Sequence, residues 1–249
     1  MDVEFPLIYS GRSSKMFDFD NNKVLSLYNV ATITEKILVM KRALKSKVKM
    51  PATLDVGFNI ITEEYIDFEF PDFCVHSNKL PEIAKMLNNI YSQFDAREIS
   101  LKEYLNKIHP FHASAFLRRN KDLKFDPNET IVLVNSHSDF HLGNLPEYKG
   151  ELYLLDLEAF SYKPLLYDLF YFSFLPSVEN FKYYIPKSLE FFSKCLVESK
   201  FLSKFDPSFE SKKELYTALS ASMFRVWFVP LQNFFDKWLH SLILSKKNL

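Results

Sequence analysis

Glycine is scarce in this sequence: four in 249 residues, Gly11, Gly57, Gly143 and Gly150. A dinucleotide fingerprint needs three glycines within six residues and a P-loop needs two close together, so neither motif is present. Collagen-like and Gly/Pro-rich disordered chains are excluded on the same ground. Cysteine is scarce as well. Cys74 and Cys195 lie far apart among apolar and aromatic neighbours, have no metal-ligand spacing, and read as buried free thiols. There is no excess of either charge, with 31 basic and 31 acidic residues. A nucleic-acid binder usually carries a basic excess, so no nucleic-acid partner is expected. No apolar run is long: Leu165–Leu175 is interrupted by Asp168 and falls short of the roughly 20 residues a membrane span needs. The stretch from Met1 to Tyr9 carries Asp2 and Glu4 and no long apolar run. That is unlike a secretion leader, and a cytoplasmic protein is expected.

What the sequence has in quantity is aromatic and aliphatic side chains. It holds 26 Phe and 13 Tyr, and 47% of its residues are hydrophobic, enough for a sizeable core. The length suits one large domain or two small ones sharing a cleft. Leu7–Tyr9, Lys15–Phe19 and Lys23–Tyr28 read as short strands, with Asp20-Asn21-Asn22 turning the last two into a hairpin. A helix is expected over Thr34–Lys45, capped by Thr32 or Thr34. Leu54–Ile61 and Glu64–Phe68 read as two further strands, and Asp72–Lys79 as a connector. From Leu80 the pattern turns helical. Pro81 is placed at a first helical position, and a second helical stretch covers Leu101–Arg118. Thr130–Asn135 reads as a buried strand, Gly150 as a turn, Leu152–Leu155 as a strand, and Pro164–Leu244 as mostly helical.

One polar cluster stands out at the end of the buried strand: His137-Ser138-Asp139-Phe140-His141-Leu142-Gly143-Asn144. Asp156 follows twelve residues after Asn144, in Leu154-Leu155-Asp156-Leu157-Glu158, and Asp168 twelve further on. Carboxylates at the ends of hydrophobic segments are costly unless paired or bound to metal. Phosphoryl transfer needs such a set. One carboxylate orients the attacking hydroxyl, and an amide oxygen with a second carboxylate holds Mg2+ against the phosphates. Asp139 followed five residues later by Asn144 has the spacing of a kinase catalytic loop. The bland alternative is a set of loop polars that cap strands.

His137-x-Asp139-x-x-x-x-Asn144, then Asp156-x-Glu158, Pro164 and Asp168, resembles the aminoglycoside phosphotransferase and choline kinase superfamily. Glu158 and Tyr162 lean towards its choline and ethanolamine kinase branch. About 230 residues fit the overall plan, with 135–170 the specific part. The resemblance implies an α+β, bilobal protein-kinase-like fold. Residues 1–70 would form a small β-rich nucleotide-binding lobe, and 71–249 a larger, mostly helical lobe carrying catalysis and the acceptor. It implies an enzyme that moves a phosphoryl group from ATP, with Mg2+, to a hydroxyl of a small molecule. By the same resemblance Asp139 would be the catalytic base, Asn144 and Asp156 the metal ligands, and Asp168 and His137 structural supports. Gly11, Ser13 and Ser14 would form the phosphate turn, and Glu64 and Ile66 would meet the nucleotide near the hinge.

Two departures are visible. The middle residue of the loop is Ser138, where the family usually has glycine or asparagine. Strand Lys23–Tyr28 carries Ser26 where the family's phosphate-binding lysine stands. Lys23 lies on the opposite face of that strand, so Lys15 or Arg12 would have to reach the phosphates instead. Glu35, on the helix that usually supplies the lysine's partner, reads as solvated. The alternative reading is therefore a pseudokinase, or a nucleotide- or metabolite-binding module. For the acceptor, Glu158, Tyr162 and Trp227 are the candidates, with Trp238, Phe224, Phe228, Phe234 and Phe235 able to complete an aromatic cage for a choline-like cation. A sugar or aminoglycoside-like acceptor stays open. His109 and His112 read as a helix-terminus pair.

Overall fold

A computed structural model of the chain describes residues 7–9, 13–69, 78–120, 125–179 and 185–223. They fall into two compact units: Met1–Gln93 with Leu142–Phe160, and Phe94–His141 with Ser161–Leu249.

The first unit is built on an antiparallel sheet in the order β1-β2-β3-β5-β4. Its strands are β1 (Leu7–Tyr9), β2 (Ser13–Asp18), β3 (Lys23–Tyr28), β4 (Thr53–Val56) and β5 (Ile60–Glu64). The turn at Asp20-Asn21-Asn22 closes β2 onto β3 as expected, with Asn22 left-handed at φ 52°. The run expected as one strand from Leu54 to Ile61 is instead the β4–β5 hairpin. Gly57 sits in its turn, its N–H donating to the Ile60 carbonyl at 2.8 Å. Residues 65–68 lie outside any strand, although the Tyr65 N–H still donates to the Asn22 carbonyl at 2.8 Å.

Helix α1 (Ala31–Leu44) begins three residues before the expected start. Val30 is its N-cap, and neither Thr32 nor Thr34 caps it. It buries Ile37, Met40 and Leu44, one stripe at helical spacing. Helix α2 (Leu80–Tyr91) starts with Pro81 in its first turn, where a missing N–H costs nothing, and buries Ile83, Leu87 and Ile90. The two-stranded ribbon β8 (Glu147–Tyr148) and β9 (Glu151–Leu152) turns at Lys149-Gly150, with Gly150 at φ 81°. The strand expected over Leu152–Leu155 is cut short at Leu152.

The second unit centres on β7 (Thr130–Ser136), flanked by β6 (Arg97–Ser100) and β10 (Ser161–Pro164). The helical stretch expected over Leu101–Arg118 is two helices, α3 (Leu101–Lys107) and α4 (Pro110–Arg119). Pro110 removes an amide and keeps Ile108-His109 extended. His109 then caps α4, accepting from the Phe111 N–H, while His112 meets the Ser222 carbonyl. Helices α5 (Tyr167–Glu179), α6 (Ile185–Glu198) and α7 (Phe209–Met223) also belong to the unit. Their core takes up part of the phenylalanine content. Phe170, Phe172, Phe174, Phe191 and Phe192 are sealed from solvent, and their rings contact at centroid distances of 4.6 to 5.6 Å. Each such side chain contributes about 1.5–3 kcal/mol on burial. Among the described residues no helix is long and apolar enough to cross a membrane.

Candidate functional site

The catalytic-loop candidates belong to the second unit. β7 is buried from Ile131 to Ser136 and delivers the chain to His137. Asp168, at the start of α5 and fully buried, takes hold of that backbone. Its Oδ1 accepts from the Ser136 hydroxyl at 2.7 Å and from the Ser138 N–H at 2.9 Å, and its Oδ2 from the His137 N–H at 3.0 Å. Burial pushes the Asp168 carboxyl up, and the His137 charge and these donors oppose it. Ser138 turns left-handed at φ 67°, and its hydroxyl lies 2.8 Å from that of Ser161 on β10. The next residue is Asp139. Burial would raise its carboxyl. The hydrogen bond and charge of His141, the Tyr171 hydroxyl and the His137 charge outweigh burial and bring it down to about 2. His141 Nε2 stands 3.6 Å from Asp139 Oδ2, closer to a charge contact than to a full hydrogen bond. The ring of buried Phe140 packs on His137 and Phe172, fixing the loop from below.

The metal and nucleotide candidates belong to the first unit. Asn144 ends a short 3-10 turn, Leu142–Asn144, and its carbonyl accepts from the Leu155 N–H at 3.0 Å. That bond ties the two stretches that carry Asn144 and Asp156. Asp156 is left-handed at φ 57° and opens a second 3-10 turn, Leu157–Ala159. Left-handed backbone thus falls on Ser138 and Asp156, and Gly143 lies within the 3-10 turn. Strained non-glycine backbone of this kind gathers at functional sites. Glu158 is buried and receives the Ser13 hydroxyl at 3.3 Å. Burial and then the neighbouring Asp156 charge push the Glu158 carboxyl up. Among the described residues no group of three or more His, Cys, Asp and Glu is arranged to hold a metal ion. The amide and carboxylate oxygens of Asn144 and Asp156 are nonetheless hard donors of the type Mg2+ takes, since that ion keeps waters and phosphate oxygens for its other positions.

A cavity of about 390 Å3 lies in the same unit. One face of the β2–β3 hairpin forms part of its wall through Lys15, Phe17, Val24, Ser26 and Tyr28. Glu64, Ile66 and Asp156 also line it, so three expected residues come together there. Ser13 and Ser14 do not line it; Ser13 is turned to Glu158, and Ser14 pairs across to Tyr9 and Leu27. Gly11, Arg12 and the whole aromatic cage, Trp227 included, lie outside the described residues. Tyr162 is on β10, with the Arg97 guanidinium 3.7 Å from its ring centroid and its hydroxyl donating to the Asp95 carbonyl. Glu35 is exposed, as the sequence suggests.

The cavity also contains an ion pair that sequence reasoning did not single out. Lys41 of α1 is nearly buried, bonded to Glu63 of β5 and to the Pro51 carbonyl at 2.6 Å. The available signal was a lysine among the buried helix positions 37, 40, 41 and 44.

No family model and no curated protein matches the sequence. Solved structures match its fold. An amicoumacin kinase in complex with AMP-PNP and Ca2+ gives a TM-score of 0.58 at 11% identity, covering 97% of this chain and 89% of that one. A choline/ethanolamine kinase family protein from Mesorhizobium loti gives 0.55 at 12% identity, over 91% and 79%. The choline kinase of Streptococcus pneumoniae gives 0.52 at 17% identity, over 92% and 88%. The chain shares the α+β, kinase-like fold of these structures.

Proposed function

We propose that this protein is a phosphotransferase that moves the terminal phosphoryl group of ATP to a hydroxyl of a small molecule. The observation that carries the reading is the Asp168 carboxylate gripping Ser136, His137 and Ser138, which presents Asp139 ionised at the end of β7. A loop held by three hydrogen bonds to one buried group is pre-organised, and positioning dominates phosphoryl transfer.

In the reaction the acceptor oxygen bonds to phosphorus, the bond between phosphorus and the bridging oxygen of ADP breaks, and the hydroxyl proton passes to Asp139. A carboxylate with a pKa near 2 is a weak base, so its role is to orient the hydroxyl and take the proton late. This suits a loose transition state in which the nucleophile contributes little charge early. Asn144 and Asp156 would hold Mg2+, which supplies neutralisation of phosphate charge. Glu64 and Ile66 would meet the nucleotide. A choline-like amino alcohol is the favoured acceptor, with Glu158, Tyr162 and Trp227 as its contacts. A sugar is the other class to include.

One observation favours a second reading, a nucleotide-binding protein without turnover: Ser26, neutral and fully buried, stands at the position of the resembled lysine. ADP release over a panel of amino alcohols, sugars and aminoglycosides separates the two. The expected outcome is turnover with one acceptor class. Asp139→Asn should lower kcat by about 100-fold or more, in the range of a lost general base, and still bind ATP. ATP binding without turnover on any acceptor selects the second reading. Equal turnover in wild type and Asp139→Asn removes the role given to Asp139.

A further inference from the structure

We infer that Lys15 of β2 has taken over the phosphate-binding task that Ser26 of β3 cannot perform, an inference that rests on the phosphotransferase reading. The hairpin register sets Lys15 directly opposite Ser26, and Phe17 opposite Val24. Residues directly opposite on antiparallel strands share a face, with Cβ atoms about 4.5–5.5 Å apart. All four line the same cavity. A lysine has a flexible four-carbon stem. An ammonium launched from position 15 therefore reaches the space that one launched from position 26 would fill. Lys23, paired with Asp18 at the far end of the hairpin, does not line the cavity.

The place where that ammonium rests fits the task. Lys15 Nζ lies 3.8 Å from Asp156 Oδ1, beside the carboxylate assigned to Mg2+, and both side chains are part-exposed. That distance is long against the 2.7–2.9 Å of a tight charge-assisted hydrogen bond, so the pair is loose and the cation is available to an incoming anion. Among the described residues, the other cation lining the cavity is committed elsewhere. Lys41 is bonded to Glu63 and to the Pro51 carbonyl, and its side chain is only 10% exposed. Pulling it away would strand a buried carboxylate. With Glu35 exposed on α1, Lys15 is set by the neighbouring Asp156 and not by a helix-borne glutamate.

The test is calorimetric binding of adenosine and of ATP with Mg2+ to the wild-type chain, Lys15→Met, Lys15→Gln, Lys41→Met, and the exchange variant in which Lys15→Ser is combined with Ser26→Lys. Lys15→Met and Lys15→Gln should weaken ATP by about 10- to 100-fold, the size of a lost hydrogen bond to a charged group, and leave adenosine unchanged. The exchange variant should recover most of the ATP affinity, which a merely structural role for Lys15 would not produce. Lys41→Met should weaken adenosine and ATP alike, through the wall of the cavity. Wild-type ATP affinity in both Lys15 variants, or selective loss of ATP in Lys41→Met alone, overturns the assignment and leaves the phosphotransferase reading standing. A wild-type chain that binds neither adenosine nor ATP overturns that reading, and this inference with it.

Discussion

Ser138 carries a side chain at φ 67°, where the resembled loops have glycine or asparagine. Left-handed backbone costs an ordinary residue about 1–2 kcal/mol. The hydroxyl recovers part of this through Ser161 and its hydrogen bonds with Ser136. The two terms are similar in size, so Ser138→Gly should lie within about 1 kcal/mol of wild type in urea unfolding. Ser138→Val keeps the strain, loses the hydroxyl and adds β-branching, and should cost roughly 2–3 kcal/mol. Asp139 yields a pH prediction. Its carboxyl is lowered from 3.8 to about 2 in the folded chain. A depressed acid stabilises the fold above its unfolded pKa and loses that contribution as pH falls through the folded value. The stability difference between wild type and Asp139→Asn should therefore be flat from neutral pH to about 4 and shrink towards pH 2. The residue types of the loop were legible in the sequence through spacing. The left-handed angles were not, because φ at Ser138 and Asp156 follows from what grips the neighbouring backbone.

At the scale of the element, β7 is the strand that must not shift, since it delivers the loop that carries Asp139, the proposed catalytic residue. Its register is fixed from α7. The Tyr216 hydroxyl accepts the Val132 N–H at 2.8 Å and donates to Asp206 at 2.7 Å, and Lys212 bonds to the Thr130 carbonyl. Tyr216→Phe leaves a buried amide and a buried carboxylate short of a partner. It should cost about 2–4 kcal/mol in denaturant unfolding, with the midpoint lowered and the slope unchanged. The hairpin β2–β3 was readable because its turn residues and alternation agree. Strand β6 was missed. Arg97–Ser100 has two charged residues and no apolar alternation, and it is a strand only because β7 offers an edge to pair with. The run from Leu54 to Ile61 misled in the opposite direction, for its apolar residues conceal a hairpin turn at Gly57.

Across the whole molecule the charges cancel, and the sequence pI is about 7.0. A protein without net charge loses the repulsion that keeps copies apart. Solubility at low salt should be lowest near pH 7 and rise at pH 5.5 and pH 9, measured as the protein left in solution after precipitant titration.

The sequence alone determined that a strand-rich first part is followed by a mostly helical one, that no glycine-rich nucleotide motif is present, and that Asp139, Asn144, Asp156 and Asp168 stand at regular separations beside apolar segments. Those properties are local, set by residue type, periodicity and separation along the chain. Only the tertiary structure decided that Lys15 and Lys41 meet the cavity, which backbone angles are left-handed, and through which donors Asp168 grips the loop. Each depends on strand register or on packing between segments far apart in sequence. Lys15 and Ser26 are eleven residues apart along the chain and become cross-strand neighbours when the hairpin closes. The scarcity of glycine is met in the fold by serine and aspartate turned left-handed at Ser138 and Asp156.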